Sequence, residues 1–133
     1  MSQENVELPY RAADAFNRRD LDTYLALSDE GVEGIPRVGA MEGGYHGHDG
    51  VRRWWTDLLG AFPDFSVEFY EVQDLGGNLT LAAGHARAHG AGSDTPIEQV
   101  FWQVARWRRG RCFWWAHFDT RAEALEAVGL SDG

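Results

Sequence analysis

Residues 108–130 read RRGRCFWWAHFDTRAEALEAVGL, a turn, a strand and a helix in direct succession. Arg109-Gly110 is a turn signal. From Arg111 to Asp119 aromatic and small residues alternate, so one strand face carries Phe113, Trp115, His117 and Asp119 and the other Cys112, Trp114, Ala116 and Phe118. Thr120 and Glu123 then form a Thr-x-x-Glu capping box, and the helix they open buries Leu125 and Val128 before Gly129 ends it. Upstream, Phe65 to Asp74, Leu79 to His89 and Ile97 to Arg109 are strand-like, broken by Gly-Gly-Asn, Gly-Ala-Gly-Ser-Asp and Arg-Gly. Consecutive strands joined by short turns predict an antiparallel meander.

The first half reads as helices. Val6, Ala12, Ala13 and Phe16 share helical spacing between Asn5 and Arg19, although Pro9 requires that this helix begin late or bend. Asp20 is placed to cap a second helix whose Leu21, Tyr24 and Leu25 share a face. Glycines recur from Gly31 to Gly50 around one short strand, Val32 to Val38. A third helix, Asp49 to Phe62, places Val51, Trp54 or Trp55, Leu58, Leu59 and Phe62 on one side and stops at Pro63. Asp49 or His48 is its natural cap. Helices first and a sheet after them predict an α+β fold, a single domain over residues 1–133.

Composition narrows the function. At 133 residues one core suffices, and folding can bury roughly two-thirds of the unfolded surface. A hydrophobic share of 44 % excludes disorder. All twelve basic residues are arginine, and 21 acidic residues leave a net charge of −9, which argues against a nucleic-acid partner. No stretch approaches membrane-spanning length and the start MSQENVELPY is acidic, so the expected location is the cytoplasm, with no membrane partner. Cys112 is the only cysteine. It cannot form an intrachain disulfide, and within an aromatic strand it reads as a small buried residue.

Three segments, AFNRRDLDTYLAL, GYHGHDGVRRWW and RRGRCFWWAHFDTRAEALEAVGL, together resemble the SnoaL-like family of the nuclear transport factor 2-like superfamily. The resemblance implies a cone: a curved antiparallel or mixed sheet wrapped by three N-terminal helices, with a short C-terminal helix. It spans polyketide cyclases, ketosteroid isomerase, scytalone dehydratase, limonene epoxide hydrolase and non-catalytic binding or assembly domains, so it implies no single chemistry. Aligned on the final Gly-Arg turn, the acid-base aspartate of the cyclases and the epoxide hydrolase falls at His117. This turns Phe113, Trp115, His117 and Asp119 inward, together with Phe101, Gln103, Ala105 and Trp107 of the preceding strand. The positions that match the ketosteroid isomerase base and hydrogen-bond donors hold Gly34, Ala12 and Gln103, and a glycine cannot take a proton. Two further epoxide hydrolase positions fall near Ala86 and Gly84.

These features make the chain a pocket protein for a small hydrophobic molecule, aromatic or polycyclic, which the resemblance makes an isomerase, cyclase, hydrolase or dehydratase needing no cofactor. His117 is the candidate acid or base, since imidazole titrates near pH ~6.5. Gln103 is the candidate oxyanion donor and Asp119 the candidate support. Phe16, Tyr24, Tyr45, Trp55, Phe101, Trp107, Phe113 and Trp115 are the expected ligand contacts. The other readings are that His117 is a core histidine bonded to Tyr24 or Tyr45, and that the chain is a dimeric binding or assembly module.

No metal site is expected. His85 and His89 would stand about 13 Å apart on an extended strand, and His46, His48 and Asp49 adjoin a helix start with no further ligands in view. Whether Gly84, Ala86 and Ala88 or their neighbours face the interior is left open by alternation alone. Trp102, Val104, Trp114 and Phe118 make the outer sheet face unusually apolar, which predicts a homodimer formed sheet to sheet.

Overall fold

A computed structural model describes residues 2–36, 44–89 and 96–131, the side chains of residues 2–4 and 97 excepted. The helices are α1 (Ser2–Asn17), α2 (Leu21–Ala26), α3 (Gly47–Ala61) and α4 (Arg121–Ala127). The strands are β1 (Ser28–Ile35), β2 (Tyr45–His46), β3 (Ser66–Gly76), β4 (Leu79–His89), β5 (Pro96–Arg108) and β6 (Arg111–Phe118). They form one open, curved sheet in the order β2-β1-β6-β5-β4-β3. The last four strands are the expected antiparallel meander, while β1 runs parallel to β6 and makes the sheet mixed. The fold is therefore α+β, with three helices before the meander and one after it.

Local chemistry explains the element ends. Asp20 caps α2 by accepting the Thr23 amide at 3.1 Å. Thr120 caps α4, accepting the Glu123 amide at 3.1 Å while its hydroxyl donates to the Glu123 carboxylate at 3.2 Å. Helix α1 starts at Ser2 and carries Pro9 inside it, so the late start, one of the two alternatives, does not occur. Two expectations are corrected. The first strand is Ser28–Ile35 rather than Val32 to Val38, and residues 37–38 lie outside the described ones. The cap of α3 is His46, which makes no side-chain cap bond. Asp49 instead pairs with Arg52 at 2.9 Å, and His48 Nε2 meets the Ser28 carbonyl at 2.8 Å, tying α3 to β1.

Apolar side chains sort into two layers. Between the concave sheet face and α1 to α3 lie Phe16, Trp54, Trp55, Phe101, Trp107 and Trp115. On the other face α4 lays Ala124 and Leu125 over Leu79, Leu81, Val104 and Ala116. In β4 the small residues face inward: Ala86 and Ala88 belong to the inner layer, which settles the face that alternation had left open.

Between β5 and β6 the ladder slips. Arg106 pairs with Trp114, yet Trp107 pairs with Cys112, so Phe113 is an extra residue on β6. This bulge reverses the alternation below Trp114. Cys112 therefore turns inward, and Phe113 turns out beneath the Arg108 guanidinium, 4.5 Å from its ring centre.

No helix among the described residues is long and apolar enough to cross a membrane.

Candidate functional site

A cavity of about 80 Å³ lies between the concave sheet face and the helices. Of the residues expected to surround a ligand, Phe16, Tyr24, Phe101 and Trp107 line it, as do Trp115 and both Gln103 and His117. Four do not. Trp55 is buried behind the wall, packed on Phe16 and Tyr24 with ring centres 4.9 and 5.3 Å away. Tyr45 stands behind Trp54, at 6.4 Å. Phe113 is displaced by the bulge, and Asp119 is exposed beyond the end of β6.

Sequence reasoning missed several members of the wall. Trp54 lines the cavity in place of its neighbour. Spacing could not separate the two, because Val51, Trp54, Trp55 and Leu58 are all buried on α3. Cys112 entered through the bulge. Ser28, Gln99, Phe65 and Phe69 also contribute, each pointing inward from a strand or from the turn that leads into it.

The polar centre of the cavity is a cross-strand pair. Gln103 on β5 stands opposite His117 on β6, and the Gln103 Oε1 lies 2.8 Å from His117 Nε2. With the carbonyl oxygen as acceptor, Nε2 carries the hydrogen and Nδ1 the lone pair. The imidazole is held between Phe101 and Trp115, with ring centres 4.4 and 4.8 Å away. Elsewhere in the wall, burial pushes the Tyr24 phenol above its ordinary range and the Cys112 thiol up to about 12. Both stay protonated at neutral pH. No Asp, Glu, Lys or Arg side chain lines the cavity among the described residues. The interior is apolar, aromatic and uncharged, with neutral donors and acceptors at a few points.

The residues around this pair extend from α1 to the end of β6. The sequence profile of the SnoaL-like domain matches residues 10–117, from the α1 residue Tyr10 to His117 itself. The chain belongs to the SnoaL-like family.

Solved structures of the SnoaL-like and nuclear transport factor 2-like kind share its fold. A nuclear transport factor 2-like protein of unknown function from Burkholderia pseudomallei is 21% identical with a TM-score of 0.76, over 95% of this chain and 98% of the other. TerC, crystallised with polyporic acid, is 16% identical with a TM-score of 0.76, over 94% and 98% of the two chains. IdmH, a proposed polyketide cyclase from Streptomyces antibioticus, is 19% identical with a TM-score of 0.73, over 95% and 99%. Among curated proteins none matches the sequence significantly.

The other polar clusters lie elsewhere. His85 and Arg87 are joined by an Arg87 Nε bond to His85 Nδ1 at 3.2 Å, and His89 pairs with Asp64 at 2.8 Å. Among the described residues no group of three or more His, Cys, Asp or Glu side chains is arranged to hold a metal ion.

Proposed function

We propose that this SnoaL-like chain binds a neutral aromatic or polycyclic small molecule in the cavity, and that His117, oriented by Gln103, moves a proton on it. The observation that carries the reading is that, among the described residues, no Asp, Glu, Lys or Arg joins the one imidazole in the wall. An ion entering such a space loses its hydration without gaining a partner charge, so a neutral ligand is favoured. Among the described lining residues His117 carries the side chain type best suited to general acid-base work. In the simplest step, His117 takes a proton from a carbon beside a ligand carbonyl. The C–H electron pair becomes the enolate double bond, and the Gln103 amide N–H donates to the oxygen that gains the charge. Isomerisation, cyclisation and dehydration all contain a step of this kind.

A second reading, a binding module without turnover, is favoured by the same wall, because among the described residues it offers neither a carboxylate to support the imidazolium nor a cation to hold an oxyanion. One probe separates the two. We expect 2,6-diacetylnaphthalene to bind, and naphthalene-2,6-dicarboxylate to bind at least about tenfold more weakly. In D2O the wild-type chain should exchange the acetyl protons of the probe faster than buffer does, as read by proton NMR. His117→Ala should lose this acceleration while binding within a few-fold. Equal affinity for the dicarboxylate would overturn the neutral-ligand reading. Exchange no faster than buffer would leave only the binding module.

A further inference from the structure

Among the described residues one buried side-chain polar atom lacks a hydrogen-bond partner, the indole Nε1 of Trp54. Trp54 is 7 % exposed and lines the cavity. An indole N–H can only donate, so no rearrangement of its own proton relieves it. A phenylalanine at this position would keep a ring in the layer without an orphaned donor. The tryptophan therefore holds a feature that the packing of the free protein does not use.

The surroundings of Trp54 point to what would use it. Tyr24, also in the cavity wall, has its ring centre 6.1 Å from that of Trp54, and burial keeps its hydroxyl protonated. Trp115 lies 5.7 Å from Trp54 on one side and 4.8 Å from His117 on the other. Trp115 is thus in ring contact with a member of each of two polar groupings, His117 with its partner Gln103 and Trp54 with its neighbour Tyr24.

We infer that Trp54 Nε1 and the Tyr24 hydroxyl form a second ligand subsite, which receives a neutral oxygen acceptor at the end of the ligand remote from His117. The ligand class is then an aromatic molecule with one carbonyl or ether oxygen toward His117 and a second toward Trp54. This rests on the reading of the cavity as a ligand pocket and adds the polarity pattern that the ligand must match. Trp54 Nε1 is without a partner among the described residues, so a ligand with an apolar group at that end leaves it unpaired and is discriminated against.

The test compares 2,6-diacetylnaphthalene with 2,6-diisopropylnaphthalene, which has nearly the same shape and no acceptor. The ratio of their dissociation constants is measured by calorimetry for the wild-type chain, Trp54→Phe and Tyr24→Phe. The preference for the diacetyl compound should fall about five- to tenfold in each variant, the effect of one lost hydrogen bond. Because the ratio is taken within one protein, general loosening of the pocket cancels. Tyr24→Phe nearly preserves volume and decides the matter if Trp54→Phe does not fold. A ratio unchanged in the variants, as expected if the indole N–H rests on a neighbouring ring, would overturn the subsite and leave the pocket standing. If neither compound binds the wild-type chain, the pocket reading falls and takes the subsite with it.

Discussion

Cys112 carries a prediction of its own. Its thiol is buried, donates to the Trp114 carbonyl at 3.4 Å, and is pushed up to about 12 by desolvation. In the unfolded chain a thiol ionises near pH ~8.5. Above that pH the unfolded state sheds its proton and the folded state does not, so stability that is complete below about pH 8.5 drains away toward pH 12. Tyr24, raised by the same burial, adds to the loss at higher pH. The urea midpoint of the wild-type chain should therefore fall more steeply between pH 8 and 10.5 than that of Cys112→Ala. Parallel slopes would clear the thiol of any part in alkaline unfolding. The same residue marks where the sequence ceases to be legible. Strand alternation places Gln103, Trp115 and His117 correctly, because the β5 to β6 pairing is regular from Trp102 to Arg106. It fails below Trp114, where one extra residue exchanges the roles of Phe113 and Cys112. A bulge of this kind leaves no mark in composition, since both residues suit either side of a sheet.

At the level of elements, the small residues of β4 set the depth of the cavity. A Cβ added at Gly84 would stand 2.5 Å from Phe101 Cζ, and Phe101 is the ring on which His117 rests. Gly84→Ala should lower stability by about 1–3 kcal/mol through overpacking, and should weaken ligand binding because the displaced ring moves against the imidazole. Gly60, near the end of α3, has nothing within 4 Å of such a Cβ. There the same substitution should stabilise by about 0.4–1 kcal/mol, because it reduces the freedom of the unfolded chain. Denaturant unfolding of the two variants checks both signs, and a stabilised Gly84→Ala would show that the ring yields freely. Thr120→Ala should cost about 1 kcal/mol by removing the α4 cap. The capped helices α2 and α4 and the long meander were readable because each has a local chemical signature. The two-residue β2 has none. Its place depends on pairing with β1, where Gly34 meets Tyr45 and Glu33 meets His46.

For the whole molecule, the outer sheet face is where the expected association is to be tested. By sequence, Trp102, Val104, Trp114 and Phe118 together called for a homodimer formed sheet to sheet. The structure divides that face. Val104 is fully buried within the chain, Ala116 is 1% exposed, and α4 lies over both. Arg106 and Arg121 place their guanidinium groups over Trp114 and Trp102, with 5.5 and 5.8 Å to the ring centres. Much of the apolar surface that called for a partner is thus already covered by the chain itself. What remains is the stripe beyond α4, where Val100 is 58% and Tyr70 55% exposed, beside the partly exposed Trp102 and Phe118. A homodimer should therefore form through this stripe rather than through the centre of the face. Isolated exposed apolar residues are ordinary on a monomer, so the stripe must be tested as a unit. Sedimentation equilibrium at micromolar concentration should show a dimer for the wild-type chain and a monomer for Val100→Arg, which sets like charges against each other across a two-fold axis. Leu125→Ala serves as the contrast. It loosens α4 and should lower stability by about 2–5 kcal/mol, yet leave the association of the folded chain unchanged. A wild-type chain that sediments as a monomer would mean that α4 and its arginines suffice to cover the face, and that the residues outside them are simply solvated.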